Sequence, residues 1–181
     1  YRFGTPFAVE YNLNNSGIWE ETYLGRVWRL SIISKDAYSI NLIYDEYQLP
    51  EGAEFYVYDA EKTTVLGAFT HMNNKSHGEF STAPTKGDIT ILEYFEPYDV
   101  DFNGEIQIKR VIHAYRDIFF NDDRDYGDSG SCNNNVNCPE FSDWGDEVRS
   151  VAMILSGGGF RLCTGSLVNN IRQDLTPYFL T

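Results

Sequence analysis

Apolar and polar residues alternate along much of the first 115 residues. Two alternating runs, residues 27–33 and 38–44, flank a Lys35-Asp36 turn, and period two in β-branched and aromatic residues predicts paired strands. Similar short runs cover 55–58, 65–69, 89–95 and 106–115, and turn-forming residues separate them at 49–52, 59–62, 84–87 and 103–104. Short strands at this spacing, with no helical period, predict an all-β fold whose first domain is an antiparallel β-sandwich or jelly roll.

The chain is predicted to hold two domains. Residues 1–24 carry few periodic signals, and the polar stretch 12–17 is predicted to be a loop, so that order begins at Gly25. The charged stretch 121–127, which ends in glycine, is predicted to be an interdomain linker. Strands are predicted over 148–155 and 160–168, joined by three glycines. We therefore predict a β-sandwich over 1–120, a linker over 121–127 and an incomplete second β domain over 128–181.

The last stretch of the sequence has the pattern of a β-hairpin. Apolar runs at Leu167-Val168 and at 178–180 are separated by a polar bend over 169–174, which predicts two antiparallel strands. The second run reaches Thr181 without a closing turn. We expect the chain to break off inside a domain.

Composition and charge narrow the class of partner. The chain is 42% hydrophobic and 15% aromatic, with a formal net charge of -13, which is typical of a globular, strand-rich protein. An acidic surface repels polyanions, so we expect no nucleic acid partner and no anionic membrane. No apolar run approaches the roughly 20 residues that cross a bilayer. The first residues lack the pattern of a signal peptide, so any targeting segment has been removed or was never included.

The three cysteines, Cys132, Cys138 and Cys163, all lie in the last third of the chain. Zinc sites favour Cys-x-x-Cys spacing with further Cys or His nearby, and neither occurs here. Disulfides, which form in an oxidising compartment, are the better interpretation. An odd number requires at least one partner cysteine outside the chain.

Two motifs suggest chemistry that the surrounding sequence does not support. Residues 127–130 read Gly-Asp-Ser-Gly, like the nucleophile loop of chymotrypsin-like proteases, but the nearest preceding histidine, His113, lies in a strand pattern of the first domain. Asp99, Asp101 and Asn103 match the first half of a calcium loop, although Arg110 takes the place of its final glutamate. Asn103-Gly104 is also a strong hairpin signal, and a hairpin is the preferred interpretation.

The remaining candidates are two histidines and the aromatic residues of the first domain. His71 and His77 have a spacing that suits no metal site, and we assign both to loops. Aromatic residues of the first domain could line a carbohydrate or peptide groove, although core packing explains most of them. Alternation allows only one of the pairs Phe55/Val57 and Tyr56/Tyr58 to face the core. The aromatic residues considered for such a groove include Trp28, Phe55, Tyr56, Tyr58, Tyr94 and Phe95.

The second domain resembles the beginning of the lysyl endopeptidase family, secreted bacterial serine proteases of chymotrypsin fold. The resemblance covers about the last 55 residues and is most specific from Cys163 to Asn170 and in the closing Phe-Leu-Thr. The other shared positions are Gly127 to Cys132, Val136, Cys138-Pro139-Glu140 and Arg149. Residues 28–30, 49–53 and 111–116 are similar, more loosely, to the amino-terminal extension of bacterial members.

The resemblance implies a trypsin-like catalytic domain of which only the first strands are present. In such proteases a strand ending Phe-Leu-Thr continues into the segment that carries the catalytic histidine. The resemblance also implies that the three cysteines pair with cysteines in the rest of the protease domain, and that Gly-Asp-Ser-Gly lies at the mature amino terminus. No catalytic residue is therefore expected among residues 1–181, and no cofactor.

Processing is expected near Arg124, Tyr126 and Gly127. Self-cleavage by a lysine-specific protease needs a lysine before the cut, and Tyr126 stands there. Lysine specificity is therefore not supported: another protease cuts the linker, Arg124 is the site, or the extension is retained.

Two functions follow from the sequence. The first is the amino-terminal part of a secreted, extracellular serine endopeptidase that acts on protein or peptide substrates, inactive by itself, whose extension serves as prodomain, inhibitor or folding aid. The second is a non-enzymatic β-sandwich module that binds glycan or calcium.

Overall fold

The computed structural model describes residues 1–119, 139–174 and 176–181, and these fold mainly as antiparallel β-strands. The predicted all-β class is confirmed. In chain order the strands are β1 (Gly4–Asn12), β2 (Ile18–Glu21), β3 (Gly25–Ile33), β4 (Ser39–Gln48), β5 (Glu54–Asp59), β6 (Val65–Phe69), β7 (Phe80–Ser81), β8 (Thr85–Lys86), β9 (Ile89–Pro97), β10 (Glu105–Ala114), β11 (Val151–Ser156), β12 (Phe160–Val168) and β13 (Tyr178–Leu180). One short helix, α1 (Gly145–Ser150), and 3₁₀ turns at His71–Asn73 and Pro139–Trp144 accompany them.

The described residues form two compact units. One, built on Phe3–Ile118, contains β1 to β10, and the other contains α1 and β11 to β13. We call them the sandwich unit and the three-stranded unit. The predicted linker, residues 121–127, lies outside the described residues, so the predicted domain limits stay predictions.

The sandwich unit consists of two five-stranded antiparallel sheets. The first sheet has the order β1-β10-β4-β7, with β8 also paired to β4, and the second has the order β2-β3-β9-β5-β6. The first strand of the unit pairs with the last, and further strand pairs are nested inside this one in sequence: β1 with β10, β3 with β9, β4 with β7 and β5 with β6. One long hairpin rolled over itself produces this nesting, which is the topology of a jelly roll. Of the two predicted architectures, the jelly roll is therefore the better description.

Side chains from both sheets form one core. Leu42 and Ile108 of the first sheet and Trp28, Phe55 and Leu92 of the second are completely buried and belong to one cluster. Aromatic rings join the two layers, because Tyr44 of β4 lies 5.9 Å from Phe55 of β5 in an edge-on arrangement. Such pairs add about 0.5–1.5 kcal/mol beyond the area that they bury.

Two strands precede the predicted start of order at Gly25, and that prediction was wrong. β1 pairs with β10, and β2 pairs with β3. β1 contains Pro6, which ordinarily argues against a strand, but β1 lies at the edge of its sheet, where proline is tolerated. The predicted loop over 12–17 does form the turn between them, and the Trp28 indole donates a hydrogen bond to the Ser16 carbonyl at 2.7 Å.

Two predicted turns connect different sheets instead of adjacent strands. β3 belongs to the second sheet and β4 to the first, so the strands on either side of Lys35-Asp36 are not paired. β9 and β10 are likewise in different sheets, so the predicted hairpin at Asn103-Gly104 was wrong. The local turn signal was real, but it could not show which sheet receives the next strand.

The three-stranded unit has the order β11-β12-β13. The predicted hairpin at the end of the chain is confirmed, since Leu167 pairs with Phe179 and Val168 with Tyr178. Residues 148–150, predicted as strand, instead end helix α1, and β11 begins at Val151. Among the described residues, no helix has the length and apolar character needed to cross a lipid bilayer.

Candidate functional site

The β12–β13 pair is held by a close approach that only glycine permits. A Cβ placed on Gly165 would lie 2.5 Å from the Leu180 carbonyl oxygen and 2.5 Å from the Phe179 ring. Cβ atoms essentially never come so close to backbone, so any larger residue would push β13 away from β12. Gly165 therefore sets where the Tyr178–Leu180 strand runs.

The bend before β13 is organised by one carboxylate. Asp174 accepts hydrogen bonds from the Asn170 amide at 2.6 Å and from the Thr176 backbone N–H at 3.1 Å. The Thr176 side chain first, and then these two donors, lower the pKa of Asp174. Such an Asx-type bond is a local alternative to strand pairing, and it explains why the polar bend turns the chain back.

Both faces of the three-stranded sheet are open. None of the residues of β11, β12 and β13 is buried. Leu167 and Val168, neighbours that point to opposite faces, are 50% and 43% exposed. On β13, Leu180 is 68% exposed. Apolar residues exposed together on both sides are typical of a surface that another part of a protein covers.

Only one of the predicted disulfide cysteines lies among the described residues. Cys163 is on β12 opposite Ile154, with its thiol free and exposed. Cys132 and Cys138 lie outside the described residues, as do Arg124, Tyr126 and Gly127 of the predicted processing region and Ser129 of the Gly-Asp-Ser-Gly motif. Their pairing and processing stay predictions.

In the sandwich unit, a buried carboxylate organises the segment between β9 and β10. Glu96, 2% exposed, accepts hydrogen bonds from Arg26 at Nε and Nη2, from the Tyr94 hydroxyl at 2.7 Å and from the Gly104 N–H at 2.6 Å. The Arg26 guanidinium also lies 4.3 Å from the Trp19 ring centroid. Nothing in the sequence pattern singled out this cluster.

The predicted calcium residues lie on that segment. The Asn103 side-chain oxygen accepts a hydrogen bond from Arg26 Nη2 at 3.4 Å, so a fixed cation already faces one proposed ligand. Asp99 and Asp101 are exposed. Within the part of the chain that the structure describes, no group of three or more His, Cys, Asp or Glu side chains is arranged to hold a metal ion. The calcium loop stays a prediction, with geometry that does not favour it.

Each of the three histidines has its own local contacts. His113 Nδ1 lies 2.8 Å from the Ser34 hydroxyl and links β10 to the segment after β3. His77 Nδ1 accepts a hydrogen bond from the Glu79 N–H at 3.1 Å, and His71 lies in a 3₁₀ turn capped by Thr70. These contacts organise loops.

The outer face of the second sheet carries two tyrosines of the aromatic set considered above. Of the pairs considered, Phe55 and Val57 face the core, while Tyr56 and Tyr58 lie on the outer face, where Tyr56 is half-buried and Tyr58 is 8% exposed. Trp28 and Tyr94 are buried as well, whereas Phe95 is half-buried. Tyr56, Tyr58, Lys62, Val65 and Glu93 line a cavity of about 190 Å³. We call this the tyrosine pocket.

A charged network supports the tyrosine pocket, and the sequence did not predict it. Glu93 accepts hydrogen bonds from Arg29 Nε at 2.7 Å and from the Tyr58 hydroxyl at 3.1 Å, and Arg29 Nη1 donates to Glu20 at 2.5 Å. Burial acts to raise the pKa of Glu93, but hydrogen bonds from Arg29 and Tyr58 outweigh it and leave that pKa below its usual value. Glu93 is therefore ionised at neutral pH.

Comparison with known proteins relates the end of the chain to proteases. Residues 126–181 match the family model described as "Lysyl endopeptidase, C-terminal domain". The match covers the three-stranded unit and relates it to lysyl endopeptidases, and it does not extend to β1–β10. A search of solved structures found no match.

Proposed function

We propose that this protein is part of a secreted serine endopeptidase related to the lysyl endopeptidases, in which residues 126–181 open the catalytic domain. The match of those residues to the family model carries the proposal. The sandwich unit would then be an amino-terminal extension, with the role of prodomain, inhibitor or folding aid.

The open faces of the three-stranded sheet support this reading. Burying a Leu, Val or Phe side chain stabilises a protein by about 1.5–3 kcal/mol, and this sheet leaves several of them exposed, including Leu162, Leu167, Phe179 and Leu180. A β-barrel domain built on the sheet would cover both faces and pair its edge strands. The remainder of a protease domain is the partner that the family match favours.

The residues described here would act as scaffold for the chemistry. Serine proteases use a serine that attacks the peptide carbonyl, a histidine that moves the proton and an aspartate that orients the histidine. By resemblance, the strand matched by β13 leads to the catalytic histidine. Gly165 would then set the position of that strand, since it controls how closely Leu180 approaches β12.

Activity measurements test the proposal. The complete gene product is expected to hydrolyse peptide and ester substrates and to be labelled by a fluorophosphonate probe of serine hydrolases. Residues 1–181 alone are expected to do neither. Replacing Ser129 by alanine in the complete product should leave turnover unchanged, because that serine is expected at the mature amino terminus.

Two results of these measurements would count against the proposed function. Turnover by residues 1–181 that the Ser129→Ala change abolishes would contradict the proposal, as would a complete product without any fluorophosphonate labelling.

A further inference from the structure

The tyrosine pocket has a floor that the fold holds rigidly. Tyr56 on β5 lies directly opposite Glu93 on β9, and Tyr58 lies between Ile91 on β9 and Val65 on β6. These strands belong to one continuous sheet, and their inward side chains are locked in the core. A site on such strands needs little ordering when a ligand binds, and this reduces the entropic cost of binding.

A glycine of the neighbouring strand lies closely against Tyr56. A Cβ at Gly67 would lie 2.9 Å from Tyr56 Cδ1 and 2.7 Å from the Phe55 carbonyl oxygen. No larger side chain fits there without displacing the tyrosine. Gly67 therefore packs closely against one side of the Tyr56 ring and helps to hold the ring in place, and Tyr56 is half-buried.

The charged groups around the pocket are of both signs, and they largely neutralise one another. Glu93 is paired with Arg29, the Tyr56 hydroxyl donates to Glu54 at 2.9 Å, and Lys62 Nζ lies 5.2 Å from the Tyr58 ring centroid. A carboxylate accepts several hydrogen bonds, and an ammonium donates three. The pocket therefore offers additional donors and acceptors beside an aromatic face, without a large net charge to attract an ion.

We propose that the tyrosine pocket binds a neutral pyranose glycan. The C–H face of one sugar ring would pack on Tyr56, while its hydroxyls bond to Glu93, Glu54 and Lys62. Sugar rings present apolar C–H faces and hydroxyl edges together, which matches an amphipathic aromatic surface flanked by charged groups.

Other ligand classes fit less well. A volume of about 190 Å³ is below the roughly 300–1,000 Å³ of pockets that enclose larger ligands, so it suits one ring of a chain and not a peptide segment. Polyanions would meet Glu20, Glu54 and Glu93 on a chain of net charge -13. A cationic peptide would have to displace Lys62, which already lies against Tyr58.

NMR titration of the full 181-residue chain tests the proposal. Cellohexaose, xylohexaose, mannohexaose and maltohexaose are added separately to ¹⁵N-labelled protein at pH 7. At least one is expected to cause saturable shifts in amides of 54–58, 62–65 and 91–93. Tyr56→Ala should weaken binding at least tenfold, and Tyr56→Phe should weaken it less because the ring is kept.

The matched control is Tyr11→Ala, which removes a tyrosine, 39% exposed, from the first sheet and should leave affinity unchanged. Circular dichroism spectra and melting temperatures check that each variant is folded. Absence of saturable binding by all four glycans overturns the proposal. Equal weakening by Tyr11→Ala and Tyr56→Ala, or tighter binding of polygalacturonate or of a lysine-rich peptide, does so too. No protease readout is involved, so failure here leaves the proposed endopeptidase function untouched.

Discussion

Replacing Glu96 by glutamine is the sharpest test of how the sandwich unit is held together. The change keeps the size of the side chain but removes the charge that accepts hydrogen bonds from Arg26, Tyr94 and Gly104. Glutamine also places an N–H₂ group against donors, and at least one donor must lose its partner. Arg26 keeps its contact with Trp19.

The expected cost follows from the burial of the two partners. Breaking a fully buried ion pair by removing one partner costs about 3–5 kcal/mol. Glu96 is 2% exposed, but the Arg26 side chain is 34% exposed, so water compensates part of the loss at the arginine. We therefore expect Glu96→Gln to lower the free energy of unfolding by about 2–4 kcal/mol, a large part of the roughly 5–15 kcal/mol of a typical domain.

Urea unfolding followed by tryptophan fluorescence measures this cost, since Trp19 and Trp28 belong to the sandwich unit. A loss of about 3 kcal/mol moves the midpoint by roughly 1–3 M for an m-value of about 1–3 kcal/mol/M. Glu21→Gln is the matched control: Glu21 is exposed and accepts a hydrogen bond only from the Tyr98 side chain among the contacts described. It should change stability by less than about 0.5 kcal/mol.

A double-mutant cycle with Arg26→Met isolates the pair. We expect a coupling energy of at least about 1 kcal/mol between positions 26 and 96. A Glu96→Gln change that costs less than about 1 kcal/mol, or a coupling near zero, would refute the assignment of Glu96 as the anchor of the 98–104 segment.

Four further predictions concern other parts of the chain. Asp59 is buried and accepts four hydrogen bonds within the β5–β6 turn, so Asp59→Ala should cost about 2–3 kcal/mol in urea unfolding; a cost below 1 kcal/mol would contradict this role. Burial acts to raise the pKa of Asp59, but these hydrogen bonds, from Thr63 first, leave it lowered. Its contribution to stability should therefore be complete above the unfolded-state pKa of about 3.9 and should disappear as the pH falls through the lower folded-state pKa. Thermal melts of the wild type and of Asp59→Asn between pH 2 and 6 measure this loss. Millimolar calcium should leave the melting temperature unchanged because Arg26 faces Asn103, and a rise abolished by Asp99→Ala would show the opposite. Gly165→Val should separate β13 from β12 and reduce the endopeptidase activity of the complete product at least tenfold. Activity equal to that of the wild type would mean that catalysis does not depend on the close approach of Gly165 to Leu180.

Much of the strand content was readable from the sequence because alternation is a local property. The runs at 27–33, 89–95 and 106–115 became β3, β9 and β10 within a few residues. β1 was missed because Pro6 interrupts its alternating pattern. The proline is tolerated in this strand because β1 lies at the edge of its sheet. Helix α1 was missed because six residues are too few to show a helical period.

The candidate sites also combine features that a local sequence pattern predicts with features that it does not. Alternation alone limited the core to one of two residue pairs on β5, and burial chose Phe55 and Val57. The Arg29–Glu93 pair joins residues 64 positions apart, and Arg26–Glu96 joins residues 70 apart. No local pattern reports such partners, since pairing depends on which strands become neighbours.

By itself the sequence determined the all-β class, the terminal hairpin and the relation of the last residues to lysyl endopeptidases, because each is encoded in short stretches of residues. Only the tertiary structure decided that the turns at 35–36 and 103–104 cross between sheets, that β1 closes onto β10 and that Tyr56 faces outward beside Glu93. A turn specifies a change of direction over a few residues, whereas the choice of sheet depends on burying one shared core, to which the whole chain contributes.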